Sequence, residues 1–100
     1  MANAQPTIVD KVKLALRITH NLLDAEIADV VASARQELIR AGVASDIANG
    51  NKQIIETALK TYALWYYAEP KDRDGYYKSF ESQCENLRKS TFEEEGGDNV

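Results

Sequence analysis

The side chains in this sequence that could do nucleophilic or metal chemistry are few. One histidine, His20, and one cysteine, Cys84, occur in 100 residues. A dedicated zinc site needs several His or Cys ligands, and acyl transfer needs a nucleophile paired with an oriented base. Neither set can be assembled from two such residues. We expect His20 to lie in a linker or cap, and Cys84 to be a small buried side chain in the middle of a helix.

Carboxylates are more numerous, and paired carboxylates could serve as general acid and base. Three acids lie at the start of a predicted helix (Asp24, Glu26, Asp29), and Glu81 and Glu85 lie one turn apart on a later one. All of them lie opposite apolar stripes, where a solvated face or a helix-end charge accounts for them. No glutamate is followed three residues later by histidine, as a di-metal carboxylate site requires. The sequence therefore predicts no enzyme, no metal site and no cofactor.

Aromatic residues form the most distinctive group in the sequence. Trp65, Tyr66, Tyr67, Tyr76 and Tyr77 fall within thirteen residues on both sides of Pro70. They could pack the corner between two helices, or some of them could anchor a protein partner, since Trp and Tyr are enriched at interfaces. One helix pair cannot bury all sides of such a segment, so both interpretations stay open.

The charge distribution separates a body from a tail. The net charge is −4, but residues 93–100 contain four acids and no base, which leaves 12 basic and 12 acidic residues in 1–92. A neutral body has no concentrated basic face for DNA phosphates or anionic lipids, and no apolar run approaches the roughly 18–20 residues of a membrane span. One cysteine excludes an internal disulfide framework. We expect a small soluble intracellular protein with one domain (1–92) and a flexible, disordered acidic tail (93–100).

Helical spacing appears in four stretches, and no stretch alternates with the period of a strand. Thr7 can cap a first short helix, Asn21 with Asp24 resembles a capping arrangement before the second, and Gly42 follows the second where a left-handed residue is expected. Residues 43–51 and the segment EPKDRDG (69–75) have the composition of turns. The predicted fold is all-α, a small bundle of four helices at about 8–16, 22–41, 52–68 and 73–90.

Apolar stripes on these helices predict the core. The second helix has the longest stripe, from Leu23 through Ile27 and Ala34 to Ile39. The third helix has Ile55 to Tyr66 on one side, and its last two turns are apolar or aromatic nearly all round. The fourth helix has Tyr77, Phe80, Cys84 and Leu87.

Taken in order, these features resemble the head–tail connector, or head-completion adaptor, proteins of tailed phages and prophages. The resemblance rests on the step Leu16-Arg17-Ile18, the polar turn 19–24, and a long helix with Ala32 and Ala34 in its middle. It continues with the aromatic run Ala63-Leu64-Trp65-Tyr66-Tyr67 and the late pair Leu87-Arg88. It covers about residues 7–90.

The resemblance implies a structural virion protein of the phage neck, assembled in the bacterial host cytoplasm. Such an adaptor docks on the portal protein as a homo-oligomeric ring of about a dozen copies, closed by heterologous contacts. It extends the channel through which DNA passes without sequence-specific binding, and it supports a downstream neck or tail-completion protein. It binds no membrane.

The residues that we expect at such protein interfaces are aromatic, basic or acidic; they are Trp65, Tyr66, Tyr67, Tyr76, Lys13, Arg17, Arg35, Arg40, Glu93, Glu94 and Glu95. The alternative function is a small helical regulatory or DNA-binding module encoded by a phage. A recognition helix needs several exposed basic or amide side chains. The second helix offers Arg35, Gln36 and Arg40, but Asp29 and Glu37 interrupt that face.

Overall fold

The computed structural model describes residues 7–97, with side chains as far as residue 89. This part of the chain contains helices and no strand, which confirms the predicted all-α fold. The helices are α1 (Ile8–Leu16), α2 (Asp24–Arg40), α3 (Ser45–Ala48), α4 (Gln53–Tyr67) and α5 (Pro70–Gly97). The four predicted helices correspond to α1, α2, α4 and α5.

Helix α1 begins and ends through local hydrogen bonds. The Thr7 hydroxyl accepts from the Asp10 backbone N–H at 3.1 Å, and the Asp10 carboxylate accepts from the Thr7 N–H at 3.1 Å. This capping box confirms the cap predicted at Thr7. At the other end Arg17 takes the left-handed conformation, with φ 61°, and Ile18 N–H donates to the Lys13 carbonyl at 2.9 Å.

Helix α2 begins at Asp24, two residues later than predicted, and the cap predicted at Asn21 is wrong. Leu23 takes the cap position without a side-chain hydrogen bond. The Asn21 amide oxygen instead accepts from the Lys13 ammonium at 2.7 Å, which also lies 2.8 Å from the Asp24 carboxylate. Lys13 is only 8% exposed, and a buried ammonium needs such acceptors.

The end of α2 confirms the left-handed residue predicted at Gly42, whose φ is 109°. Val43 N–H donates to the Leu38 carbonyl and Gly42 N–H to the Ile39 carbonyl, both at 3.0 Å. This is a Schellman motif, and Val43 and Leu38, the two positions that usually make its apolar contact, are both buried.

The segment 43–51, predicted as turns only, contains the one-turn helix α3. Arg35 of α2 holds it by donating to the carbonyls of Ala48 at 2.8 Å and Gly50 at 2.7 Å. The Ala48 carbonyl is one that the end of α3 leaves without a partner in the helix, and the Gly50 carbonyl follows two residues later.

The segment 69–75, predicted as a loop, is instead helical, and α5 starts at Pro70 rather than at 73. Proline lacks an N–H and has a φ suited to a helix, so it fits the first helical position. Ala68 and Glu69 alone separate α4 from α5. The acids Asp72 and Asp74 then fall in the first turns, where the helix dipole favours negative charge. Helix α5 also continues past the predicted end at 90, as far as Gly97, and the rest of the predicted flexible tail (98–100) lies outside the described residues.

Helix α4 is central, because it packs against α1, α2 and α5. The apolar stripes meet there as predicted, except that Tyr66 and Tyr77 are 46% and 40% exposed, while Phe80, Cys84 and Leu87 are buried. The core consists of Val12, Ile27, Val30, Val31, Ala34, Leu38, Val43, Ala48, Ile55, Ala58, Leu59, Ala63, Phe80, Cys84 and Leu87. The packed helices form a flat molecule, with Cα extents of 49 × 40 × 16 Å. Within residues 7–97, no helix has the length and apolarity that crossing a membrane requires.

Candidate functional site

An open groove lies between α2 and α5, above the helix on which both of them pack. It consists of two adjoining depressions, of about 730 and 640 Å³. Both are lined by Glu37 and Arg40 of α2 and by Tyr77 and Phe80 of α5. We call this surface the α2–α5 groove. It exists because α2 and α5 approach α4 from different sides and leave the space between them open.

The smaller depression is lined by aromatic rings that contact one another. The Tyr62 ring centroid lies 5.1 Å from those of Trp65 and Phe80, and the Trp65 and Tyr77 centroids are 5.7 Å apart. The Arg73 guanidinium lies 4.8 Å from the centre of the Trp65 ring, within the range of a cation–π contact. These contacts show that the aromatic residues pack the corner between α4 and α5, as one of the two interpretations predicts. Trp65 and Tyr77 nevertheless remain partly exposed in the groove.

The larger depression is polar and includes Cys84. Cys84 is 7% exposed, which confirms that it is a small buried side chain. Burial raises the pKa of its thiol to about 11, and the carboxylates of Glu37 and Glu81 add to the shift. Because the thiolate is the nucleophilic form, this environment makes Cys84 unreactive at neutral pH.

Most charges around the groove are paired along their own helix. Arg40 lies 2.8 Å from Glu37, Lys78 lies 3.4 Å from Asp74, and Arg88 lies 3.8 Å from Glu85. Glu81 is exposed, lines the larger depression and makes no ion pair within residues 7–89. Since acids and bases alternate, the groove has no basic stripe for phosphates.

The predicted interface residues do not form one surface. Trp65 and Arg40 line the α2–α5 groove, Tyr66 is 46% exposed beside it, and Tyr76 is half-buried. Tyr67 is half-buried, and its hydroxyl donates to the Glu26 carboxylate at 2.8 Å. Burial, and secondly this hydrogen bond, raise the pKa of the Tyr67 phenol above its ordinary value.

The predicted basic residues differ in what their side chains do. The Lys13 and Arg35 side chains point inward to the partners described above, so they stabilise the fold. Arg17 is exposed at the end of α1. Glu93, Glu94 and Glu95 lie on the last turns of α5, beyond the described side chains.

Tyr77 and Phe80 were predicted to share one helix face, but two further residues of the groove, Arg73 and Glu81, were not predicted to lie on a surface with them. Their signal was present, because spacings of four and three place them on one side of a helix. It becomes readable once Pro70 is taken as the first residue of that helix rather than as a stop.

Two apolar side chains outside the groove were also missed. Leu14 is 79% exposed on α1, and Leu22 is 87% exposed in the turn before α2. His20 lies in the same turn and accepts from the Leu22 N–H at 3.2 Å, which confirms its predicted place in a linker.

The described part of the chain contains no group of three or more His, Cys, Asp or Glu side chains that could hold a metal ion. Comparison of the chain with protein-family models, with curated proteins and with solved structures finds no match.

Proposed function

We propose that this chain is a structural adaptor of a phage neck: a head–tail connector subunit that docks as a ring on the portal, extends the DNA channel and supports the next neck or tail-completion protein. The observation that carries the proposal is the α2–α5 groove, an uncovered surface of contacting aromatic rings. Trp and Tyr exposed in this way are typical anchors of protein interfaces.

The chemistry of the groove supports a binding role rather than catalysis. Burial raises the pKa of Cys84 and Tyr62, which keeps both groups in their protonated, weakly nucleophilic forms. The groove is wide open to solvent, whereas catalysis depends on charges held in a water-excluded site. A wide, mixed-charge aromatic surface suits the edge of another protein.

The shape supports a ring subunit. A slab whose Cα atoms span 16 Å in its thin direction presents two broad faces and narrow edges, so copies can stand side by side around a channel. Heterologous contacts of this kind close into rings under cyclic symmetry. A neutral body is also suited to a channel wall, because a basic wall would retain DNA.

The alternative of a DNA-binding module receives less support from the described side chains. Its recognition face would need Arg35 and Arg40 directed outward. Arg35 instead donates to the carbonyls of Ala48 and Gly50, and Arg40 pairs with Glu37.

Mixing the purified protein with the purified portal of the phage or prophage that encodes it tests the proposal. Light scattering should show a complex with a fixed stoichiometry, close to one adaptor per portal subunit. Negative-stain images of particles lacking the gene should show DNA-filled or emptied heads without tails. Normal tailed virions from the deletion would overturn the proposal, as would nanomolar, salt-dependent binding of duplex DNA by the isolated chain.

A further inference from the structure

The α1–α2 corner has an exposed apolar surface that no other residue within 7–89 covers. Leu14 and Leu22 are 79% and 87% exposed. The residues preceding them, Lys13 and Asn21, are joined by a 2.7 Å hydrogen bond, which places both leucines at the same corner. Among the described residues, these are the two most exposed of the large hydrophobic side chains. We call Leu14, Arg17 and Leu22 the corner knob.

Arg17 adds a charge to this corner in a conformation that non-glycine residues rarely adopt. Its φ is 61°, its side chain is exposed, and it makes no ion pair within residues 7–89. A strained, exposed residue without an internal partner points to a role outside its own chain.

The α2–α5 groove is complementary to the corner knob. Its smaller depression, of about 640 Å³ and lined by aromatic rings, can take leucine side chains. The Glu81 carboxylate in the adjoining larger depression has no cationic partner among the described side chains. The groove thus has an apolar surface and an available acid, and the knob has apolar side chains and an available base. Opposite charges in register fix the orientation of such a contact.

The knob cannot enter the groove of its own chain. The Lys13 ammonium ties the corner to Asn21 at 2.7 Å and to Asp24 at 2.8 Å, and Lys11 of α1 is tied to Glu56 of α4 at 2.9 Å. The corner is therefore fixed on the bundle, so a knob that enters the groove must come from another molecule.

We infer that the occupant of the α2–α5 groove is the corner knob of a second copy of this chain, with Leu14 and Leu22 on the aromatic rings and Arg17 paired with Glu81. The contact joins two different surfaces, so it is heterologous and can propagate from copy to copy until a ring closes. The inference deepens the proposed function and rests on it for ring closure alone, since the pairwise contact needs no portal.

The isolated protein provides a built-in probe of this contact. Trp65 is the single tryptophan and lines the groove, so its emission should shift to shorter wavelength as the concentration rises. Sedimentation velocity on the same samples gives the mass. A protein that stays monomeric up to about 200 µM, where a micromolar contact is saturated, overturns the inference.

Two variants separate the surfaces. The knob variant is Leu14→Ser with Leu22→Ser, and the groove variant is Tyr77→Ser with Glu81→Arg. Each should fold, because all four side chains are exposed, and each should be monomeric, because one of the two contact surfaces is lost. Mixed together, they should form a 1:1 complex, since each retains the surface that the other lacks. Ile54→Ser is the matched control: Ile54 is 48% exposed on α4, outside both surfaces, and should leave association unchanged.

The charge pair has its own test. Arg17→Glu should weaken self-association by about tenfold, and adding Glu81→Arg should restore it. Knob variants that still associate, a mixture that gives no complex, or a charge reversal without rescue would each overturn the inference. All these measurements omit the portal, so their failure differs from failure of the portal-binding experiment.

Discussion

Arg17 shows how one backbone angle can oppose stability. It occupies the position after α1 where glycine is usual, with φ 61°. For an L-residue the left-handed conformation costs about 1–2 kcal/mol, because Cβ approaches the following carbonyl. The Ile18 N–H to Lys13 carbonyl bond of 2.9 Å closes the helix end in spite of that cost.

Replacing Arg17 with glycine should therefore stabilise the monomer. We expect Arg17→Gly to raise the free energy of unfolding by about 0.5–1 kcal/mol, the relief of strain less the entropy that glycine adds to the unfolded chain. Urea denaturation measures the change. Arg17→Ala is the control, since it loses the same guanidinium but keeps the strain, and a glycine variant no more stable than the alanine variant would contradict this account.

Cys84 makes stability depend on pH in the alkaline range. Its pKa in the folded state is about 11, against an ordinary value of 9.0. Below pH 9 the thiol is protonated in both the folded and the unfolded state, and the contribution of Cys84 to the free energy of unfolding is fully present. Between about 9 and about 11 the unfolded thiol ionises first, so the unfolded state binds fewer protons and stability falls as the pH rises.

We expect the free energy of unfolding to decrease by about 1–2 kcal/mol over this range because of Cys84. Tyr62 and Tyr67, whose pKa values are also raised, act with the same sign at higher pH. Urea denaturation of the protein and of Cys84→Ala at a series of pH values measures the effect. Equal slopes for the two proteins between pH 9 and 11 would rule Cys84 out as the cause.

At the scale of elements, helix ends decide the path of this chain. The Gly42 Schellman motif turns the chain out of α2, and Arg35 then holds α3 through two carbonyls. An ideal Cβ added at Gly42 would lie 2.6 Å from Arg88 Cδ. Gly42 therefore serves the positive φ, and it also leaves room for the flexible side chain of Arg88 on α5. Gly75 lies inside α5, and an added Cβ there meets nothing within 4 Å.

The two glycines should respond to alanine with opposite signs. Gly75→Ala should raise the free energy of unfolding by about 0.5–1 kcal/mol, because alanine is the better helix former. Gly42→Ala should lower it by about 1–2 kcal/mol through backbone strain. Thermal or urea unfolding measures both. A destabilising Gly75→Ala would contradict a helix that starts at Pro70, since a loop glycine there would not gain from alanine.

For the whole molecule, the flat shape follows from the order of packing. The α4 helix contacts α1, α2 and α5, and α5 is held mainly by α4. Of the side chains of α5 described as far as residue 89, three enter the core: Phe80, Cys84 and Leu87. An element attached mainly through one neighbour is a natural unit of local unfolding.

Amide hydrogen exchange should therefore find α5 less protected than α2 and α4. Leu87 is 1% exposed, and Leu87→Ala leaves a cavity there. We expect it to lower the free energy of unfolding by about 2–4 kcal/mol and to speed exchange in α5 more than in α1 or α2. Ala58→Gly on α4 is the comparison, since disturbing the central helix should speed exchange in all its neighbours. Uniform protection across the five helices would contradict this hierarchy.

Much of the fold could be predicted because it depends on neighbours in the chain. The Thr7 capping box, the left-handed Gly42 and the stripe Ile27, Ala34, Leu38 each follow from residues within one or two turns. Cys84 was predicted to be buried for the same reason, since it falls between Phe80 and Leu87 on one helix face.

The sequence predictions were wrong where two local rules compete, or where a side chain's hydrogen-bond partner is distant in the chain. Pro70 can stop a helix or start one, and Ala68 and Glu69 suffice to separate α4 from α5. Asn21 could cap α2, but the ammonium of Lys13, eight residues earlier, takes its oxygen. Of two adjacent tyrosines, Tyr76 is half-buried and Tyr77 lies on the groove, a choice set by the angle at which α5 meets α4.

The sequence alone determined that this chain is helical, neutral in its body and limited to one histidine and one cysteine, because composition and periodicity act locally. Only the tertiary structure decided that α2 and α5 leave a groove above α4, and that Leu14 and Leu22 remain outside the core. Those surfaces arise from how separate helices pack, and packing joins residues that no spacing along the chain brings together.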